Sequence, residues 1–149
     1  MVIIATSKPN KWKIGSYLIM VYQKTNFSHV LIVKEGVVYE ASHGDTHSIP
    51  FELWKINNEV VNLYLIPDSK VDLDYVEAMV TEDISYGFMQ IIRIAIKYFF
   101  GLTINKNNGN ARLICSEYIG RALRLDWVND YTSPKEIDDY LKNLRLTDE

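Results

Sequence analysis

The 149 residues contain one cysteine, Cys115, in the stretch RLICSEYIGRALRL, and three histidines, His29, His43 and His47. A cysteine attacks as its thiolate, so it needs a base and surroundings that favour negative charge. The preceding loop NKNNGN offers Asn108 or Asn110 as a helix cap, which puts Cys115 in the first turn or two. There the helix dipole and unpaired N–H groups favour a thiolate and an oxyanion alike. The ordinary alternative is an inert small hydrophobe. Residues 115, 118, 119, 122 and 123 share one helical face and read Cys, Tyr, Ile, Ala and Leu.

His29 opens the β-rich run FSHVLIV, where a rigid strand would hold it in place, as a general base requires. His43 and His47 fall in the polar stretch HGDTHSIP, which reads as a loop and leaves both in solvent. The runs FSHVLIV and VVYEAS flank Glu35-Gly36, a hairpin signal. A two-residue turn there pairs Lys34 with Val37 and sets His29 opposite Ser42. Glu40 then lies diagonally beside His29, within reach of a long side chain. It can orient the imidazole and stabilise its cation. A register slip of one residue would instead turn Glu40 to water.

The elements around these residues follow from periodicity. VIIAT is a short strand or ordered arm, and KWKIGSYLIMVYQKT is helix or strand, with Gly15 leaving the choice open. EVVNLYLIP reads as a third strand whose continuous apolar character predicts burial on both faces. DLDYVEAMVTEDI, with early acidic residues, is a helix. GFMQIIRIAIKYFF is apolar almost all round and predicts a central core helix, with a helix lying on a membrane surface as the other reading. RLICSEYIGRALRL follows as a helix. SPKEIDDYLKNL is the last, with Ser133 as N-cap, Pro134 at the first position and Glu136 closing a capping box. Strands first and helices after give an α+β fold in one domain, a small antiparallel sheet packed against helices.

Composition narrows the function. A net charge of −3 and no evident basic stripe argue against nucleic acid. A lone cysteine forms no internal disulfide, and no apolar run reaches the roughly 18 residues of a membrane span. The expectation is a cytoplasmic protein without an integral membrane segment. A metal site from His43, Asp45, His47 and Cys115 lacks the helical register of a two-histidine zinc motif, so neither metal nor cofactor is expected.

In their order, FSHVLIV, VVYEA, YGFMQI, LICSEYI and SPKEIDDYL resemble the permuted branch of the NlpC-type papain-fold cysteine hydrolases, the YiiX-like group. The resemblance spans about Phe27 to Leu141. It implies a papain-like fold with Cys115 as nucleophile, His29 as base and Glu40 as orienting residue. It also implies a substrate-positioning role for Tyr86, whose alternative is a core aromatic, and leaves Glu117 structural. Gly87 and Tyr118 depart from the group's usual acidic and aliphatic residues. The implied activity is that of a peptidase or amidase working through a thioester acyl-enzyme. Two alternatives stay open: lipid acyl chemistry like that of the lecithin:retinol-acyltransferase-like enzymes, and an inactive binding module on the same fold.

Overall fold

A computed structural model describes residues 1–11, 13–42, 45–82, 85–86, 88–102 and 112–147, without the side chains of 85–86, 88–91, 112 and 146–147. The arrangement is α+β. Strands β1 (Val2–Pro9), β2 (His29–Lys34), β3 (Val37–Ser42), β4 (Asp45–Pro50) and β5 (Asn58–Ile66) form one antiparallel sheet in the order β4-β3-β2-β1-β5. The uncertain early segment is a helix, α1 (Ile14–Gln23), and a single turn, α2 (Phe51–Trp54), follows β4. Beyond the sheet come α3 (Leu73–Thr81), β6 (Ser85–Tyr86), α4 (Phe88–Phe100), β7 (Arg112–Leu113), α5 (Cys115–Ala122) and α6 (Pro134–Thr147). β6 and β7 pair in parallel, an addition to the expected topology.

The β2–β3 turn forms as its sequence dictates. Glu35 and Gly36 both take positive φ, 52° and 77°, as a two-residue hairpin turn of matching twist requires. The pairs Lys34–Val37, Val33–Val38 and Ile32–Tyr39 follow the expected register. Alternation then divides the side chains between two faces. Val2, Ile4, Val30, Ile32, Ala41, Tyr64 and Ile66 meet Val76, Tyr118, Ile119, Ile137 and Leu141 from the helices. Ala5, Leu31, Val33 and Val38 meet Trp54, with Phe51 and Ile49 beside them. Each large aliphatic side chain buried this way contributes about 1.5–3 kcal/mol.

Four expectations are corrected. HGDTHSIP is not a loop: residues 45–50 form the edge strand β4, whose polar residues are satisfied by its partner strand and by solvent on the open edge. His43 lies outside the described residues. β5 is not buried on both faces, because it is the opposite edge strand and leaves Leu63 and Leu65 exposed. α4 is not a central core helix: from residue 92 onward only Ile94 is buried, and Tyr98, Phe99 and Phe100 are exposed. Finally, α5 starts at Cys115 itself, with the extended residue Ile114 at the N-cap position and no side-chain cap bond from it; Asn108 and Asn110 lie outside the described residues.

The last helix forms as its sequence predicts. Ser133 Oγ accepts from the Glu136 N–H at 3.3 Å, and the Glu136 carboxylate accepts from the Ser133 N–H at 2.7 Å. Asp138 on α6 is buried and accepts from Tyr64 Oη at 2.5 Å and Asn62 Nδ2 at 3.1 Å, tying α6 to β5. Behind α5, a Cβ added at Gly120 would meet Val128 Cγ1 at 2.8 Å and Cβ at 3.0 Å. Only glycine allows this approach. Gly120→Ala is therefore expected to lower unfolding stability by about 1–3 kcal/mol, and Val128→Ala in the same chain to restore part of it, as read by denaturant titration.

Candidate functional site

Glu40 projects from β3 onto the apolar face carrying Leu31, Val33 and Val38, and is 4% exposed. A buried carboxylate persists only with donors around it, and Glu40 has four. Oε2 accepts from His29 Nε2 at 2.7 Å and from Trp54 Nε1 at 3.1 Å. Oε1 accepts from Ser42 Oγ at 3.0 Å and from His47 Nε2 at 3.1 Å. These bonds and the positive charges beside it overcome burial and hold the Glu40 carboxyl far below the usual carboxylate range.

His29 stands between Glu40 and the sulfur. β2 pairs with β3 from Lys34–Val37 to Ile32–Tyr39, while β1 holds β2 as far as Ser7–His29. At this end α5, which begins with Cys115, packs against β2, close enough for the Cys115 sulfur to act electrostatically on the imidazole. Since Nε2 is engaged with Glu40, Nδ1 is the nitrogen left for the thiol. Burial by itself would lower the pKa of His29. The Cys115 thiolate and the Glu40 carboxylate override it and push it up to about 10. Cys115 is 3% exposed and is the first residue of α5, so its own N–H and those after it have no partner within the helix.

Cys115, His29 and Glu40, singled out from sequence, thus lie in one neighbourhood, with His29 and Glu40 in direct contact and the sulfur within electrostatic reach of the imidazole. Tyr86 comes near through its backbone: β6 pairs it with Leu113, two residues before Cys115, and its side chain lies outside the described residues. Glu117 is buried and accepts from Arg121 Nη2 at 2.6 Å, an anchor within α5.

Three further residues join the site. His47, expected in solvent, sits opposite Glu40 in the β3–β4 register and donates to it. Its Nδ1 lies 2.8 Å from Asp45 Oδ1. An imidazole between two carboxylates bonds both only when both nitrogens carry protons. Accordingly the Glu40 hydrogen bond, opposed by partial burial and helped by Asp45, raises the pKa of His47. Trp54 is the second. The pattern of a strand at 45–50 would have revealed His47, but no local signal marks Trp54. The third is Tyr22 on α1, which stacks on Tyr98 with centroids 5.1 Å apart. Burial, then the Cys115 charge, push its phenol well above the ordinary value, so it stays a neutral O–H within electrostatic reach of the sulfur.

A cleft of about 220 Å³ lined in part by His47, Trp54 and Leu53 reaches Glu40 from the β4 side. A larger one, about 530 Å³, lies between β5 and α6 and is lined by none of these residues. Among the described residues, no group of three or more His, Cys, Asp and Glu is arranged to hold a metal ion. No helix there is long and apolar enough to cross a membrane. No protein-family model matches the chain, and no curated protein matches it in sequence.

Two outcomes follow from these charges. Glu40→Gln leaves the partly buried imidazoles of His29 and His47 without their shared anion and should cost about 3 kcal/mol in stability, measured by denaturant titration at neutral pH. The raised pKa of His47 stabilises the fold fully below its ordinary value near 6.5 and loses that contribution as pH rises through the raised one. Imidazole ¹⁵N NMR should therefore show His47 titrating above its ordinary value, with the midpoint falling in Asp45→Asn. A wild-type midpoint at or below the ordinary value would contradict the bridging geometry.

Proposed function

We propose that the protein is a cysteine hydrolase of the papain-like, permuted NlpC kind, acting on an amide or peptide bond. The observation that carries this reading is the Cys115–His29–Glu40 chain, with the sulfur at the first residue of a helix. Its order along the chain, histidine, then carboxylate, then cysteine, matches the resemblance read from sequence.

In this reading His29, held by Glu40, takes the proton of Cys115 and remains protonated, as a pKa of about 10 allows at neutral pH. The thiolate attacks the carbonyl carbon. The carbonyl oxygen takes the electron pair and is stabilised by the N–H groups of the first turn of α5. His29 then gives its proton to the leaving nitrogen as the C–N bond breaks, which leaves a thioester on Cys115. Water loses a proton to His29, attacks the thioester and releases the acid, and the thiolate returns to its imidazolium partner. Tyr86 would position the substrate. A cytoplasmic setting, where thiols stay reduced, is part of the proposal.

A second reading, ester or acyl transfer on a lipid, is favoured by one observation: Tyr22, within electrostatic reach of the sulfur, stacks on Tyr98 and meets Phe99 edge-on at the exposed apolar end of α4. Parallel assays with amide and long-chain ester substrates separate the two.

The decisive measurement is the pH profile of Cys115 alkylation by iodoacetamide, a reagent small enough for a recessed sulfur. His29→Ala should move the profile to higher pH and slow alkylation at neutral pH by about ten- to thirtyfold, since an ordinary thiol is mostly protonated there. Hydrolysis should fall by about 10²–10⁴ in the same variant and vanish in Cys115→Ala. If the sulfur reacts only after unfolding, Cys115 is core filler and the hydrolase reading fails, leaving a binding module.

A further inference from the structure

The α1 helix buries Ile19 and Gln23 and turns Ile14, Tyr17, Leu18 and Val21 to solvent, with Ile14 74% exposed. These four positions form one helical stripe. α1 packs against α4, where Tyr98, Phe99 and Phe100 are exposed, Phe100 at 73%, followed by exposed Leu102. A soluble monomer rarely leaves so many large apolar side chains together in water.

Charge says what covers this face. Residues 10–28 and 85–102, which contain α1, α4 and their near flanks, hold five of the sixteen Lys and Arg and none of the nineteen Asp and Glu. The other eleven cations share the remainder of the chain with all nineteen carboxylates. No basic stripe stands out in the linear sequence because the cations come from two distant segments. Lys24 ends α1, Lys97 on α4 lies over the Tyr131 ring at 4.6 Å, and Lys11 and Lys13, which precede α1, stand where this face meets the cleft at Glu40. The Tyr22–Tyr98 pair has one carboxylate near it, Glu136, already engaged by Ser133 in the capping box.

An apolar stripe rimmed by lysines fits the boundary of a lipid bilayer, where side chains enter the acyl region and ammonium groups meet phosphates. We propose that the α1–α4 face docks the protein on a membrane surface bearing anionic lipid. Docking there sets the Tyr22–Tyr98–Phe99 cluster at the bilayer edge, with the buried Cys115 sulfur behind it. The inference does not require that Cys115 be catalytic.

The test is co-sedimentation of the full chain with vesicles of phosphatidylcholine alone and of phosphatidylcholine mixed with phosphatidylserine. Binding is expected to the mixed vesicles and to weaken with added salt. Leu18→Asp and Phe100→Asp should each reduce partitioning roughly tenfold or more, and Lys13→Glu/Lys24→Glu should reduce it on anionic vesicles. Leu65→Asp, on the exposed side of β5, should bind like wild type, as should Cys115→Ser. All five positions apart from Cys115 are exposed, so the variants should fold, and circular dichroism checks this. The proposal is overturned if neither vesicle binds or if Leu65→Asp loses binding equally. It is also overturned if the face instead mediates self-association abolished by Leu18→Asp, or binds duplex DNA but no vesicle.

Discussion

A carboxylate removed from water is the constraint on which the sheet end of the molecule depends. Glu40 draws its four donors from β2, β3, β4 and α2, so four successive elements between residues 29 and 54 converge on one charge. An unpaired ion in that position would cost several kcal/mol. A slip of one residue between β2 and β3 would turn Glu40 to the other face and part it from His29 and Trp54. The register of the hairpin, the pairing of β4 and the placement of the short α2 turn are therefore coupled through a single side chain. Hydrophobic burial of Leu31, Val33 and Val38 around it supplies the dry surroundings in which those hydrogen bonds are strong.

The sulfur is placed by different physics. α5 is held against the sheet by Tyr118, Ile119 and Ala122, and against the following turn by the close approach of Gly120 to Val128. The Tyr118 hydroxyl donates to the Val76 carbonyl at 3.1 Å, which ties α5 to α3. Apolar packing thus sets where the helix begins, and a polar network sets where the imidazole stands. Neither partner depends on the other for its position. The proposed chemistry uses this division, since a nucleophile and its base must stay in register through a cycle in which their protons move.

The molecule is uneven around this site. On the β4 side the relay ends in the half-exposed His47–Asp45 pair, and on the α5 side it meets Tyr22 and the aromatic end of α4. The first side carries the titrating groups, and the second joins the basic, apolar face. The Glu40 hydrogen-bond network and the proposed docking face therefore lie on different sides of Cys115, so each can be perturbed separately.

Sequence by itself determined whatever rests on contacts within a few residues. Glu35-Gly36 specifies its turn through positive φ, and the turn specifies the register that brings Glu40 beside His29. Ser133, Pro134 and Glu136 specify the start of α6, and the apolar spacing of residues 115–123 specifies the buried face of α5. Tertiary structure alone decided the rest. Polar residues 45–50 look like a loop until β3 supplies their hydrogen bonds, and with that strand His47 moves from solvent to Glu40. Trp54 and Tyr22 reach the site across 14 and 93 residues of chain, distances over which no local pattern carries information. The apolar runs of α4 and β5 give no sign of which face remains open, because exposure depends on which neighbours arrive. β5 has a strand on one side only, and α4 packs against α1 and leaves its last turn in water. Local backbone preference is written residue by residue, whereas burial is a property of the assembled fold.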